Sequence, residues 1–334
     1  MSRDTLSDVL RSVHLRGALY YFVSGGSEWA AEAPPSREIA ATVMPGAEHV
    51  MEYHVVTQGR CWAAILGEAP VALARGDIVL FPHGDAHVMS SAPGLRAAAD
   101  APGRFDARPE RLPFRLAYSG TTGPVSLQRV GPDDTTLVCG FLGCDVRPFN
   151  PLIGTLPRLL HLRADAGDDW VAHFIRQAVA ETFAERPGGE AMLERMSEMM
   201  FVDAVRRHVD ALPAASTGWL AGLRDRAVGR ALALLHHEPT RDWSVDELGR
   251  EVGLSRSALH ERFVQFIGQP PMHYLAHWRI QLAAVRLRTT QATVASIALD
   301  VGYDSEAAFA RAFKRLVGLP PAAWRRQVRA DSAA

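Results

Sequence analysis

The stretch VGYDSEAAFARAFKRLVGLPPAAW, Val301 to Trp324, has a close relative about fifty residues upstream: VGLSRSALHERFVQFIGQPPMHYL, Val252 to Leu275. Each copy carries the same signals in the same order. In the first, Ser244 and Glu247 have capping-box spacing and start a helix over SVDELGREV. Gly253 permits a left-handed turn, Ser255 caps a second helix, and Gly268 ends it before Pro270. In the second copy TVASIALDV is the first helix, Gly302 the turn, Ser305 the cap, and Gly318 with Pro320 the stop. The small residues Gly249 and Ala298 stand four positions before the turn glycines, where two steeply crossing helices approach closely. The pairs Leu259/Phe263 and Phe309/Phe313 fall at i and i+4 and form the buried face of each second helix. The pattern predicts two helix-turn-helix motifs, over about 244–267 and 293–317.

A helical hairpin repeat without a nucleic-acid role is the competing reading. A generic hairpin has no reason to repeat small residue, glycine, cap and stop in order, so the repeat favours two DNA-reading heads. The faces left outward agree. Arg256, Ser257, His260 and Glu261 project from one second helix, and Ala307, Arg311, Lys314 and Arg315 from the other. Arg reads guanine, and Ser, His and Glu can touch base edges or phosphates. A long helix over about Met272 to Arg288 would span ~25 Å and hold the heads apart, where successive major grooves on one DNA face lie ~34 Å apart.

From about Trp219 to Gln327 the chain resembles the AraC/XylS family of bacterial transcription regulators. The matching residues are DELGREVGLSRSALHERF, the G-x-P-P after each copy, YLAHWRI, and IALDVGYDSEAAFARAFKR. The resemblance implies base contacts at Ser257 and Glu261 in the first head and at Ala307 and Arg311 in the second. Acidic Glu261 and small Ala307 depart from the family's commoner basic or amide residues.

The earlier part of the chain reads differently. From about Tyr20 to Leu142, short apolar runs broken by Gly and Pro predict an all-β barrel or sandwich. GDIVLFPHGDAH, Gly76 to His87, reads as a hairpin turned by Gly76-Asp77 and turned back by Pro82 and Gly84, with His87 inward. It resembles the second cupin motif, within a resemblance over about Leu19 to Leu162 to the cupin-type sensory domain of some AraC-type regulators. That implies a small effector in the barrel, with His54, Trp62, Phe81 and His87 as its expected contacts. Metal-binding cupins carry two histidines one residue apart in the first motif. EHVMEYHVVTQG offers instead His49, Glu52 and His54. With His87 these are the residues that could ligate a metal, but the incomplete pair favours an organic effector and no cofactor.

An amphipathic helix begins at about Asp168, and a second runs from Glu190 to Leu212. The apolar stripe of the second, with Met196, Met199, Val202, Val205 and Val209, is expected to pair two copies of the chain. The fold class is therefore α+β with two domains: a cupin-like β-barrel over 1–165, a helical dimerisation segment and linker over 166–218, and an all-α double helix-turn-helix domain over 219–334. Net charge is −1, but from Arg224 onward there are 16 basic and 11 acidic residues against 20 and 26 before it. Only the basic C-terminal part is expected to meet a polyanion.

Cys61, Cys139 and Cys144 are too few for a disulfide framework, and Cys139 and Cys144 are expected to be inert buried thiols. No apolar run approaches membrane-spanning length, and the N-terminus does not read as a signal peptide. These features predict a cytoplasmic, non-enzymatic transcription regulator. Its partners would be double-stranded DNA, a small-molecule effector, a second copy of the chain and RNA polymerase. The runner-up is a metal-dependent cupin enzyme, or a metal or redox sensor, with a helical appendage.

Overall fold

The computed structural model describes residues 4–98, 112–126, 130–164, 169–184 and 186–331. Contacts group the chain into two units: Leu15–Cys144 with Leu156–Asp210, and Met1–His14 with Asp145–Thr155 and Ala211–Ala334. The units interleave along the chain, where the sequence reading draws three consecutive segments. The boundary expected at 165/166 falls outside the described residues.

The first unit is a curled, mostly antiparallel sheet. Its strands are β1 (Arg16–Ala33), β2 (His49–Gln58), β3 (Arg60–Ile65), β4 (Val71–Ala74), β5 (Ile78–Phe81), β6 (His87–Ser90), β7 (Phe114–Gly120), β8 (Pro124–Ser126), β9 (Thr135–Cys144) and β10 (Leu160–Leu162). The hydrogen-bonded order is β10-β5-β2-β9-β1-β6-β3-β4, with β7 beside β1 and β8 beside β7. The long β1 serves two parts of the sheet: Arg16–Gly25 pairs with β9, and Ala30–Ala33 pairs with β6.

The glycines of the second cupin-like motif behave as read, at φ +91° for Gly76 and +67° for Gly84. The strands around them are not a hairpin, however. β4 pairs with β3, whereas β5 pairs with β2 and β10. The turn at Gly76 therefore carries the chain from one region of the sheet to another, a choice of partner that local turn chemistry cannot express.

Alternation along β2 sets two faces. Val50 and Val56 join the interior cluster with Val79, Phe81, Met89 and Phe141, and Glu52 and His54 share their parity. Tyr53 points the other way and meets Ser197 Oγ at 2.6 Å. Ser197 lies on α4 (Gly189–Ala211), which follows α3 (Asp169–Ala184). Close approach requires glycine at two places on this outer face. A Cβ at Gly17 would stand 2.4 Å from the Glu194 carbonyl, and one at Gly140 would stand 2.5 Å from the Tyr53 hydroxyl.

In the second unit, α1 (Thr5–Ser12) joins the C-terminal helices α5 (Trp219–Arg224), α6 (Arg226–His237), α7 (Val245–Val252), α8 (Arg256–Ile267), α9 (Pro271–Thr289), α10 (Val294–Asp300), α11 (Glu306–Val317) and α12 (Pro321–Asp331). The three predicted caps form, and Thr293 adds a fourth: Ser244, Ser255, Thr293 and Ser305 each accept from the backbone N–H three residues on. The two motifs repeat one backbone bond at their turns. Leu254 N–H donates to Gly249 O at 2.9 Å, and Tyr303 N–H donates to Ala298 O at the same distance. A Cβ at Gly249 would stand 2.8 Å from Leu254 O, so this crossing needs glycine.

The long helix α9 is buried along most of its length. Tyr274, Leu275 and Trp278 lie in its first half, and Ile280, Ala283, Ala284 and Leu287 pack with Ile297, Phe309 and Phe313 of the second motif. Gln281, 2% exposed in the middle of this helix, donates to Ser12 O at 2.8 Å and accepts from Phe149 N–H at 3.0 Å. Arg288 pairs with Asp145.

Candidate functional site

The second helix of each motif presents a divided surface. Leu259, Phe263, Phe309 and Phe313 are 0% exposed, whereas Arg256, Ser257, His260, Glu261, Ala307, Arg311, Lys314 and Arg315 are all exposed. Helix periodicity explains the split, because inward positions at i and i+4 leave the intervening face to solvent. Arg256 lies 3.5 Å from Asp246 on α7. Arg262, by contrast, is held by a two-pronged bond to Asp225, the N-cap of α6, which keeps that carboxyl below the usual range. It serves the fold of the first head.

One residue ties the heads together. Arg279 on α9 donates to Pro239 O (2.5 Å) and Arg241 O (2.8 Å) ahead of α7, and to Gly302 O (3.0 Å) in the turn of the second motif. A Cβ at Gly302 (φ +86°) would stand 2.8 Å from Thr240 Cα, so the turn of the second motif touches the connection between α6 and α7 at this point. The sequence reading quoted Arg279 within YLAHWRI without a role. An arginine flanked by Trp278 and Ile280, in the middle of a largely buried helix, is the signal available.

The sheet interior gathers part of the expected effector set. His54 Nε2 and His87 Nε2 are 2.9 Å apart, and the Phe81 ring stacks on His87 at 3.7 Å. Glu52 Oε1 is 3.7 Å from His54 Nε2, and Oε2 is 3.7 Å from His87 Nε2. All four residues are at most 1% exposed. Trp62 is placed elsewhere. It pairs with Ser90, while His87 pairs with Ile65. Trp62, Ala64, Val88 and Ser90 line an open cleft of about 220 Å³ on the opposite face. Nor does His49 join the group, since its Nε2 bonds Pro82 O at 2.6 Å.

None of the three cysteines is in a disulfide, all three are buried, and burial pushes the Cys61 thiol up to about 12. On α4, Met196 (7% exposed) and Val205 (0%) are buried within the single chain. Met199 is 55% exposed, with Val202 and Val209 partly so. The stripe read from periodicity is thus split: two of its members already have intramolecular partners. Among the described residues, no helix is long and apolar enough to cross a membrane.

Residues 4–210 match the cupin family, and residues 248–327 match a helix-turn-helix domain family. A putative AraC-like transcription regulator of Streptomyces lividans is 33% identical over 326 residues, covering 97% of this chain and 98% of that protein. A second, from Streptomyces antibioticus, is 31% identical with the same coverage. The HTH-type transcriptional regulator AlkR of Acinetobacter baylyi is 26% identical over 331 residues, 97% of this chain and 99% of its own. With two capped helix-turn-helix motifs following a cupin-type sheet in the sequence, and similarity running over nearly its whole length, the chain belongs to the AraC-like transcription regulators.

Proposed function

We propose that this DNA-binding regulator works as a one-component switch in the cytoplasm. It reads an operator with α8 and α11 in neighbouring major grooves and changes its occupancy when a small effector enters the cupin-type unit. Base contacts fall to Ser257 and Glu261 in the first head and to Ala307 and Arg311 in the second. Arg256, His260, Lys314 and Arg315 flank them for phosphates. The observation that carries this reading is the division of both second helices into a fully buried apolar face and an exposed polar one, mounted on the shared helix α9. His54, Phe81 and His87 offer the effector two polar atoms and an aromatic wall. The effector's influence on DNA affinity equals its differential affinity for the two conformations, and DNA acts back on it equally. Two copies pair through the outer face of α4 at Met199, Val202 and Val209, and bound DNA then alters access or recruitment of RNA polymerase.

Selection of duplexes from a random pool with the full-length chain tests this. A defined motif should emerge, with affinity falling steeply as salt rises because phosphate contacts release counterions. A folded chain that enriches no duplex at low salt would sink the reading.

A further inference from the structure

The two reading helices differ most at positions that are otherwise equivalent. Glu261 stands midway between the buried Leu259 and Phe263 of α8, and Arg311 midway between the buried Phe309 and Phe313 of α11. At about 100° per residue, each points directly away from the buried face of its own helix. Both are exposed. Both also fall in the first half of a 12-residue helix, the half whose side chains reach base edges in motifs of this kind. Equivalent positions thus carry opposite charge.

The acid does not serve the fold. Arg262, the cation next to it in the chain, is committed to Asp225, with Nε 3.0 Å from Oδ1 and Nη2 2.6 Å from Oδ2. Among the described residues the Glu261 side chain makes no ion pair or hydrogen bond, and neither does that of Arg311. On a surface that meets phosphates, an unpaired carboxylate weakens binding to every sequence unless a donor meets it. A carboxylate only accepts. The major groove offers two donors, the N4 amine of cytosine and the N6 amine of adenine. Adenine sets its N7 acceptor beside that amine, where it faces the second carboxylate oxygen. Guanine and thymine present acceptors. Cytosine alone offers an amine with no adjoining acceptor on the same base.

On the reading that α8 and α11 enter major grooves, we infer that Glu261 is a specificity-determining residue that accepts from a cytosine N4 amine in one half-site. Arg311, at the equivalent position, donates to guanine O6 and N7 in the other. The operator then has unlike halves, because a head that accepts cannot replace a head that donates. One turn earlier, Ser257 and Ala307 are equivalent as well, and both are exposed. Serine donates and accepts, so it tolerates several bases, whereas alanine offers only a methyl for apolar contact with thymine. Glu261 therefore carries most of the discrimination in the first head.

Duplexes selected from a random pool by the full-length chain are compared with those selected by its Glu261→Ala and Glu261→Gln variants. Each base pair of the preferred operator is then replaced in turn and Kd is measured. With the wild-type chain, one position of one half-site should prefer cytosine by about tenfold or more. Glu261→Ala should flatten that position alone. It should also bind random duplex about threefold more tightly at low salt, because a negative charge is gone. Glu261→Gln should move the preference to adenine, whose N6 and N7 suit an amide. A duplex carrying either half-site in both places should bind about tenfold more weakly than the operator. Both variants should keep the wild-type thermal midpoint, since the side chain is exposed. A defined operator whose every position is unchanged in Glu261→Ala, or one with two identical half-sites, overturns the assignment and leaves DNA reading intact. A wild-type chain that enriches no duplex removes the DNA reading, and this assignment with it.

Discussion

The guanidinium of Arg279 donates to the carbonyl of Gly302 at 3.0 Å while its other nitrogens hold Pro239 O and Arg241 O, so one side chain on α9 sets both heads. Hydrogen bonds from a charged donor are worth about 1.5–3 kcal/mol each. A lysine cannot reproduce the planar fork. Arg279→Lys should lower the thermal midpoint and flatten the preference for one half-site spacing, measured on duplexes whose half-sites are moved by single base pairs. An unchanged spacing profile would show that the packing around α9 suffices without this clamp.

Arg311 and Lys314 share an exposed face but differ in expected role. Arg311→Ala should cost ~1–3 kcal/mol on the preferred operator and relax discrimination at one position, as expected for a bidentate guanine contact. Lys314→Ala should weaken all duplexes about equally and reduce the salt slope. Identical sequence profiles for wild type and Arg311→Ala would remove Arg311 from base readout.

On α4 the burial of Val205 separates two experiments that periodicity makes look alike. Val205→Asp places a charge where exposure is 0% and should destabilise the folded chain itself, by roughly 4 kcal/mol or more. Met199→Asp, at a position 55% exposed, should leave the fold intact and halve the sedimenting mass. A dimer that survives Met199→Asp in sedimentation would place the subunit contact elsewhere.

His236 makes stability depend on pH. Burial holds its imidazole down to about 3, with Nε2 2.8 Å from the Tyr274 hydroxyl and the ring stacked on Trp278 at 4.0 Å. The folded value lies below the unfolded value of about 6.5. Between these the unfolded chain takes up a proton that the native chain refuses, so stability is present above pH ~6.5 and is lost as pH falls toward 3. At pH 5 the loss should be about 2 kcal/mol from this group. Denaturant midpoints at pH 7 and 5, compared between wild type and His236→Gln, check it. Equal pH dependence in the two chains would assign the effect to other groups.

The double helix-turn-helix was legible in the sequence because its signals are local. A cap, a left-handed glycine and an i,i+4 apolar pair each act within a turn or two of chain, and a repeat of the set leaves few other folds. The exposed face of α8 and α11 follows from the same period. What only the tertiary structure decided involves partners distant in sequence. Trp62 and His87 fall on opposite faces because β3 pairs Ile65, not Trp62, with His87, and strand register is not written in either strand alone. Val205 and Met199 belong to one apolar stripe, yet packing buries one and exposes the other, since a stripe states what can be buried and not against what. Glu52, His54 and His87 converge because the sheet curls, and Gln281 sits in a buried helix because Ser12 and Phe149 satisfy its amide. Local physics wrote the elements into the sequence; the pairing of faces, which depends on total burial and on every polar group finding a partner, emerged only when the chain closed on itself.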